Sequence, residues 1–239
     1  MFGADGTLTW FVSDPALPSP AMTIYELRRY TLHPGRRDAL IELFEREFIE
    51  PQEAAGMRVA GTFRDPDAPD TFTWLRGFPD MAARKAALES FYSGPAWLAH
   101  REEANATMLD SDDVLLLRAL TEPAPLPRPP VGAPESPAAT YVATIYPADG
   151  DLADHFAAVV APTLTEAGVP PVASFATEHA ENTFPRLPVR SGVNVVVWLA
   201  RWEEDVPDLG AVDLPLVESR LTAAPQRLRL RPTARSAMR

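Results

Sequence analysis

The sequence contains no cysteine, which excludes disulfides, a thiolate nucleophile and cysteine-based zinc sites. It has only four histidines. No two of His33, His100, His155 and His179 share the i, i+4 spacing and carboxylate company of a metal centre, and no haem-attachment motif is present. No glycine-rich loop follows a strand into a helix, so nucleotide binding has no support. The reading is therefore of a protein without a metal or organic cofactor. Long apolar runs are missing too, none approaching the roughly 20 residues that span a bilayer. The basic stretch, apolar stretch and small-residue cleavage site of a secretory signal are not found. Basic residues are outnumbered 22 to 33, a net charge of −11, which repels nucleic acid and anionic membrane over the surface as a whole. Neither is an expected partner, and a cytoplasmic protein is the expectation.

What the sequence does have is repetition. Thr31-Leu32-His33-Pro34 returns as Thr144-Ile145-Tyr146-Pro147, and Leu40, Phe44, Phe48 and Ala55-Gly56 return as Leu152, Phe156, Val160 and Ala167-Gly168. Trp74-Leu75-Arg76-Gly77-Phe78 returns as Trp198-Leu199-Ala200-Arg201-Trp202. The copies lie roughly 110 to 125 residues apart, the length of a small domain rather than of a solenoid unit. Copy one spans residues 23–121 and copy two 138–232, with a proline-rich linker at 122–137 and a tail at 233–239. The linker is expected to be extended and to space the copies semi-rigidly. Residues 1–22 are expected to be poorly ordered, with strand character only from Thr7 to Val12.

Within copy one, a strand at Thr23 to Leu32 leads through His33-Pro34-Gly35 into a helix whose stripe is Leu40, Phe44 and Phe48. Pro51 kinks that helix or ends its regular part, and Gly56 stops it. Met57 to Arg64 and Thr71 to Phe78 form a hairpin, Asp80 caps a helix from Met81 to Tyr92, Gly94-Pro95 restarts a shorter one, and Val114 to Leu120 closes the copy. Asp110, Asp112 and Asp113 read as a solvated turn. The order is βαββαβ. Copy two follows the same order, with a longer hairpin connection at Glu178 to Asn194 and a second helix reduced to about Pro215 to Ala224.

Tyr25-Glu26-Leu27-Arg28-Arg29-Tyr30-Thr31-Leu32-His33-Pro34-Gly35, Glu53-Ala54-Ala55-Gly56-Met57-Arg58-Val59, Thr71-Phe72-Thr73-Trp74-Leu75-Arg76 and Trp97-Leu98-Ala99-His100-Arg101 resemble the NIPSNAP family. The resemblance covers copy one almost completely. Copy two, through Phe184-Pro185-Arg186-Leu187-Pro188-Val189-Arg190, is similar to tandem bacterial members. The resemblance implies an α+β fold of two tandem ferredoxin-like repeats, with antiparallel sheets packed face to face as an intramolecular dimeric α/β-barrel. It implies no single reaction, because relatives range from cofactor-free monooxygenases to haem enzymes and plain binding proteins, and a fold alone does not fix a function.

Alternation puts Glu26, Arg28 and Tyr30 on one face of a strand, and Trp74 and Arg76 on one face of a likely neighbour. If both faces meet a cavity, Glu26 supplies a general acid or base, while Arg28, Tyr30, Trp74 and Arg76 supply an anion binder and an aromatic wall. The competing expectation is a structural ion pair. His100 follows Trp97 at helical spacing and is a candidate for proton transfer, against a packing role on the tryptophan. Arg186 and Arg190 can clamp a carboxylate or phosphate, or their loop can latch one copy onto the other. The leading expectation is a small-molecule enzyme performing cofactor-independent proton transfer or oxidation of an aromatic or polyketide-like substrate. The alternative is a non-catalytic binding or scaffold protein. Since the halves satisfy each other's sheets, a monomer or a homodimer is expected.

Overall fold

The structure, a computed structural model, describes residues 21–124, 126–135, 139–150, 152–203, 214 and 217–239. The strand expected at Thr7 to Val12 and part of the reduced helix near Pro215 lie outside them; inside, Glu218–Arg220 forms a short helical turn. Copy one consists of β1 (Ile24–Leu32), α1 (residues 37–54), β2 (Arg58–Arg64), β3 (Thr71–Phe78), α2 (Met81–Ser93), α3 (Pro95–Asn105) and β4 (Met108–Thr121). Copy two consists of β5 (Thr140–Pro147), α4 (residues 152–166), β6 (Ala173–Thr177), β7 (Val195–Trp202) and β8 (Gln226–Pro232). The aspartates read as a turn belong to β4, which starts earlier than its apolar half suggests.

The strands close one antiparallel barrel in the order β1-β3-β2-β8-β5-β7-β6-β4. Each copy contributes four adjacent strands in ferredoxin-like order. The seams are short: β2 meets β8 at Phe63↔Pro232 and Arg64↔Arg231, and β4 meets β6 from Leu117↔Thr177 to Thr121↔Ser174. Closure satisfies edges that would otherwise offer unpaired amides and carbonyls. The inward faces, with Tyr25, Leu27, Phe63, Leu75, Leu115, Tyr141, Phe175, Val197 and Leu230, fill the barrel as a packed core. The outward face of each copy packs under its own helices as a separate core.

Both first helices carry the same irregularity, a π-helical turn at Phe44–Phe48 and at Phe156–Val160. Each turn is soon followed by a proline, Pro51 or Pro162. A π-turn already departs from the regular hydrogen-bond ladder, so the missing proline amide is tolerated and α1 continues to Ala54. Gly56 and Gly168 end the two helices at φ 97° and 80°, the left-handed region that favours glycine.

The helical repeat holds as the sequence pattern gives it, whereas the strand phrase does not. Trp74 lies across from Arg28 in β1, and its counterpart Trp198 lies across from Thr144 in β5. Thr144 therefore corresponds to Arg28, and the match of Thr31 with Thr144 is slipped by three positions. The cause is a shorter connection from strand to helix in copy two.

The linker is not a spacer. It straps copy one together with the tail: Arg128 donates to the Arg235 carbonyl at 2.6 Å and pairs with Glu53 at 2.6 Å, while the Leu126 amide donates to the Ala237 carbonyl at 3.2 Å. Residues 21–121 expressed alone should self-associate, because removing copy two opens both edges and the apolar barrel face. Light scattering would check this, and a stable monomer would contradict the barrel-closure argument.

Candidate functional site

The site begins with the parity of β1. Tyr25 and Leu27 point into the barrel, which leaves Glu26, Arg28 and Tyr30 under the helices of copy one. The register sets Glu26 opposite Arg76 and Arg28 opposite Trp74 on β3. A third arginine arrives from α2, where Arg84, Ala87, Leu88 and Phe91 are buried at helical spacing. Asp80 fixes the start of α2 by accepting from the Ala83 amide at 2.7 Å.

Glu26, Arg28, Arg76 and Arg84 are all fully buried. Arg28 Nη1 donates to Glu26 Oε2 at 2.8 Å, Arg76 Nε to Oε2 at 2.8 Å and Arg84 Nε to Oε1 at 2.7 Å. The Nη2 atoms of Arg76 and Arg84 lie 2.7 and 2.6 Å from the same oxygens, as ionic contacts outside hydrogen-bonding geometry. Burial by itself would raise the Glu26 carboxyl, but Arg76, Arg28 and Arg84 outweigh it and hold the group well below the usual carboxylate range. Burial likewise opposes the charge on Arg28, yet Tyr30 and Glu26 raise it above its ordinary value.

Each guanidinium then holds a different element. Arg28 Nε donates to the Tyr30 phenol oxygen at 2.9 Å, Arg76 Nη1 to Gln52 Oε1 on α1 at 3.2 Å, and Arg84 Nη1 to Asn182 Oδ1 at 3.0 Å. Asn182 belongs to the long β6–β7 connection of copy two. Its Nδ2 donates to the Leu187 carbonyl at 2.9 Å, and Phe184 of the same loop stacks on Tyr92 at 5.9 Å between ring centres. Glu26 is thus the hub of a cluster with three positive charges and one negative, in a protein whose net charge is −11.

In front of the cluster lies a cavity of about 240 Å³. Tyr30 and Trp74 form its floor, Phe44, Phe48 and Gln52 one wall, and Phe91, Tyr92 and Trp97 another. Phe184, Arg186 and Leu187 of copy two roof it. Among the described residues, the lining contains no aspartate, glutamate or histidine.

Two of the expected site residues, Tyr30 and Trp74, reach the cavity directly. Arg28 and Arg76 stand behind that wall, each with its guanidinium over the Trp74 ring, at 5.8 and 4.9 Å from the ring centre. Glu26 does not line the cavity, and both its oxygens are held by arginines, so its place is that of a positioning residue rather than an acid or base. His100 lies outside the cavity, half-buried against Phe48 and 3.5 Å from Glu47 Oε2. There it packs on Phe48 and does not reach the cavity lining. The 178–194 loop reaches over copy one, where Phe184 packs into the core and Arg186 enters the cavity lining. Arg190 instead pairs with Asp113 at 3.4 Å.

Arg84, Gln52 and Tyr92 were not singled out from the sequence. Arg84 had a signal, a lone charge in an otherwise apolar i, i+3, i+4, i+7 stripe. In copy two the corresponding positions carry Val142 for Glu26, Thr144 for Arg28, Ala200 for Arg76 and Leu164 for Gln52. There the sheet packs under α4 as a mainly apolar core with Trp198 and Tyr146. The polar cluster belongs to one copy alone.

The fold is that of a dimeric α/β-barrel built within one chain. Residues 25–121, nearly the whole first copy, match the family model NIPSNAP. No curated protein matches the sequence. Among solved structures, the chain is similar to a candidate monooxygenase from Fusobacterium nucleatum, at TM-score 0.59 and 8% identity, over 89% of this chain and 93% of that one. A candidate monooxygenase from Lactobacillus acidophilus is similar at TM-score 0.56 and 12% identity, over 89% and 94%. An anthrone oxidase-like protein is similar at TM-score 0.56 and 15% identity, over 92% and 96%. At these identities the likeness shows the fold. Among the described residues, no helix is long and apolar enough to cross a membrane.

Proposed function

We propose that the cavity of the first copy is the active site of a small-molecule enzyme that removes a proton next to a carbonyl of an aromatic or polyketide-like substrate, with dioxygen as co-substrate. The observation that carries this reading is Tyr30, whose phenol oxygen accepts from a buried guanidinium while its ring floors an aromatic cavity. With the oxygen lone pair engaged, the phenol proton is free to point at a substrate oxygen. Burial raises the Tyr30 phenol above its ordinary value despite the Arg28 charge, so at neutral pH it stays protonated and donates. The excess positive charge of the cluster favours negative charge developing on that oxygen, as an enolate or phenolate. Among the described residues the lining supplies no carboxylate or imidazole, so the carbon-bound proton leaves to water at the mouth.

Oxidation of the resulting carbanion by dioxygen turns a methylene into a carbonyl and releases one water, with no protein group changing oxidation state. The three fold relatives are described as oxygenases or oxidase-like, which supports trying this chemistry first. Anthrone is a suitable probe: anthrone plus dioxygen gives anthraquinone plus water. Oxygen uptake and quinone absorbance should rise with enzyme, and Tyr30→Phe should lower the rate roughly 100-fold, as for loss of one oxyanion donor. The absence of a carboxylate or imidazole from the lining favours a second reading, a non-catalytic binding protein using the same cavity. Anthrone binding without oxygen uptake would select it.

A further inference from the structure

The roof of the cavity comes from the copy that has lost the cluster, and it brings a charge with it. Arg186 lines the cavity and is exposed at its mouth, opposite the buried floor of Tyr30 and Trp74. Its guanidinium lies over the Phe184 ring, 5.9 Å from the centre, and Phe184 is itself fixed against Tyr92. Among the described residues no carboxylate pairs with Arg186, whereas Arg190 on the same loop is paired with Asp113. The Arg84–Asn182 bond and the Asn182–Leu187 bond hold the intervening turn in place. A guanidinium stacked on an aromatic ring keeps its fork of donors free and pre-oriented, and that fork matches a carboxylate.

We infer that Arg186 binds a carboxylate on the ligand, so that the second copy reads the charge of an aromatic acid whose ring system fills the cavity of the first. This rests on the proposed use of the cavity and adds the ligand's charge and orientation. The flat body lies in the cavity against the aromatic lining, and the carboxylate faces the mouth, where water can share its solvation. At about 240 Å³ the cavity lies just below the usual range of small-molecule sites, about 300 to 1,000 Å³, which suits a small aromatic body. Copy two thereby acts in place of a partner subunit, with a surface specialised for its neighbour rather than for a site of its own.

The test compares 2-naphthoate with 2-naphthalenemethanol, which share size and ring but not charge, by calorimetric titration of the full chain. Naphthoate should bind about tenfold more tightly at low salt, and added salt should narrow the gap. Arg186→Ala should cost naphthoate about three- to tenfold and leave the alcohol unchanged, with Arg186→Lys in between. Arg190→Ala should change neither, and the melting temperature of all three variants should match the parent. Equal affinities for the two probes, or a gap that survives Arg186→Ala, would overturn the carboxylate assignment while leaving the aromatic site intact. Failure of both probes to bind the parent would overturn the assignment together with the use of the cavity itself.

Discussion

Replacing Glu26 by Gln should lower stability by about 3 to 5 kcal/mol, because it strips the shared carboxylate from three fully buried guanidiniums while keeping the shape. The loss comes from positive charges left facing each other in a medium that screens them poorly. Urea titration of the variant measures it, and an unchanged midpoint would show that Glu26 is not the hub of the cluster. The same cluster sets a pH dependence. The folded Glu26 carboxyl is held below its ordinary value of about 4.3, so the unfolded chain binds its proton first as pH falls. Its contribution is fully present above that ordinary value and is lost progressively as pH drops toward the folded value. Glu26→Gln should therefore flatten part of the acid limb of the stability profile.

Deleting residues 233–239 should cost at least about 4 kcal/mol, the second large effect. Met238 is a buried member of the barrel core, and Arg235, Ser236 and Ala237 are buried with it. The Glu45 carboxylate accepts from Thr233 Oγ1 at 2.6 Å and from the Arg235 amide at 2.8 Å, and would be left in place without either donor. The Arg235 side chain also donates to the Pro129 carbonyl at 3.0 Å and pairs with Glu50, so the linker strap would lose its anchor. A truncated chain that melts with the full-length protein would show the tail to be a passenger. Nothing in the tail's sequence announces this burial, since Thr233 to Arg239 has neither strand nor helix periodicity. It packs because the barrel end and the α1 surface happen to offer partners for both its apolar and its polar groups.

Which site residues could be read in advance follows from the range over which each signal acts. Side-chain alternation in a strand is local, so Glu26, Arg28 and Tyr30 grouped correctly, and so did Trp74 with Arg76. Their mutual contact needed only the neighbouring of β1 and β3. The depth of each residue needed more: Tyr30 and Trp74 reach the cavity, while the shorter-reaching Glu26 is sealed behind them by arginines from two strands and a helix. The spacing of His100 to Trp97 points both toward the sheet, yet α3 is rotated so that Trp97 lines the cavity while His100 meets Glu47 outside it.

By itself the sequence determined the duplication, the βαββαβ order, the helix stops at Gly56 and Gly168, and the absence of cysteine chemistry. Those are carried by sequence recurrence, by local backbone preference and by composition, each readable without knowing which residues meet in space. The tertiary structure alone decided that the strand phrase is slipped by three, an odd number that turns the apparent match onto opposite faces of the sheet. Only in three dimensions does one copy keep a charged cluster and the other supply its roof. Residues 26, 76, 84 and 182 are far apart along the chain, and Coulomb attraction in a buried site acts on distance through space.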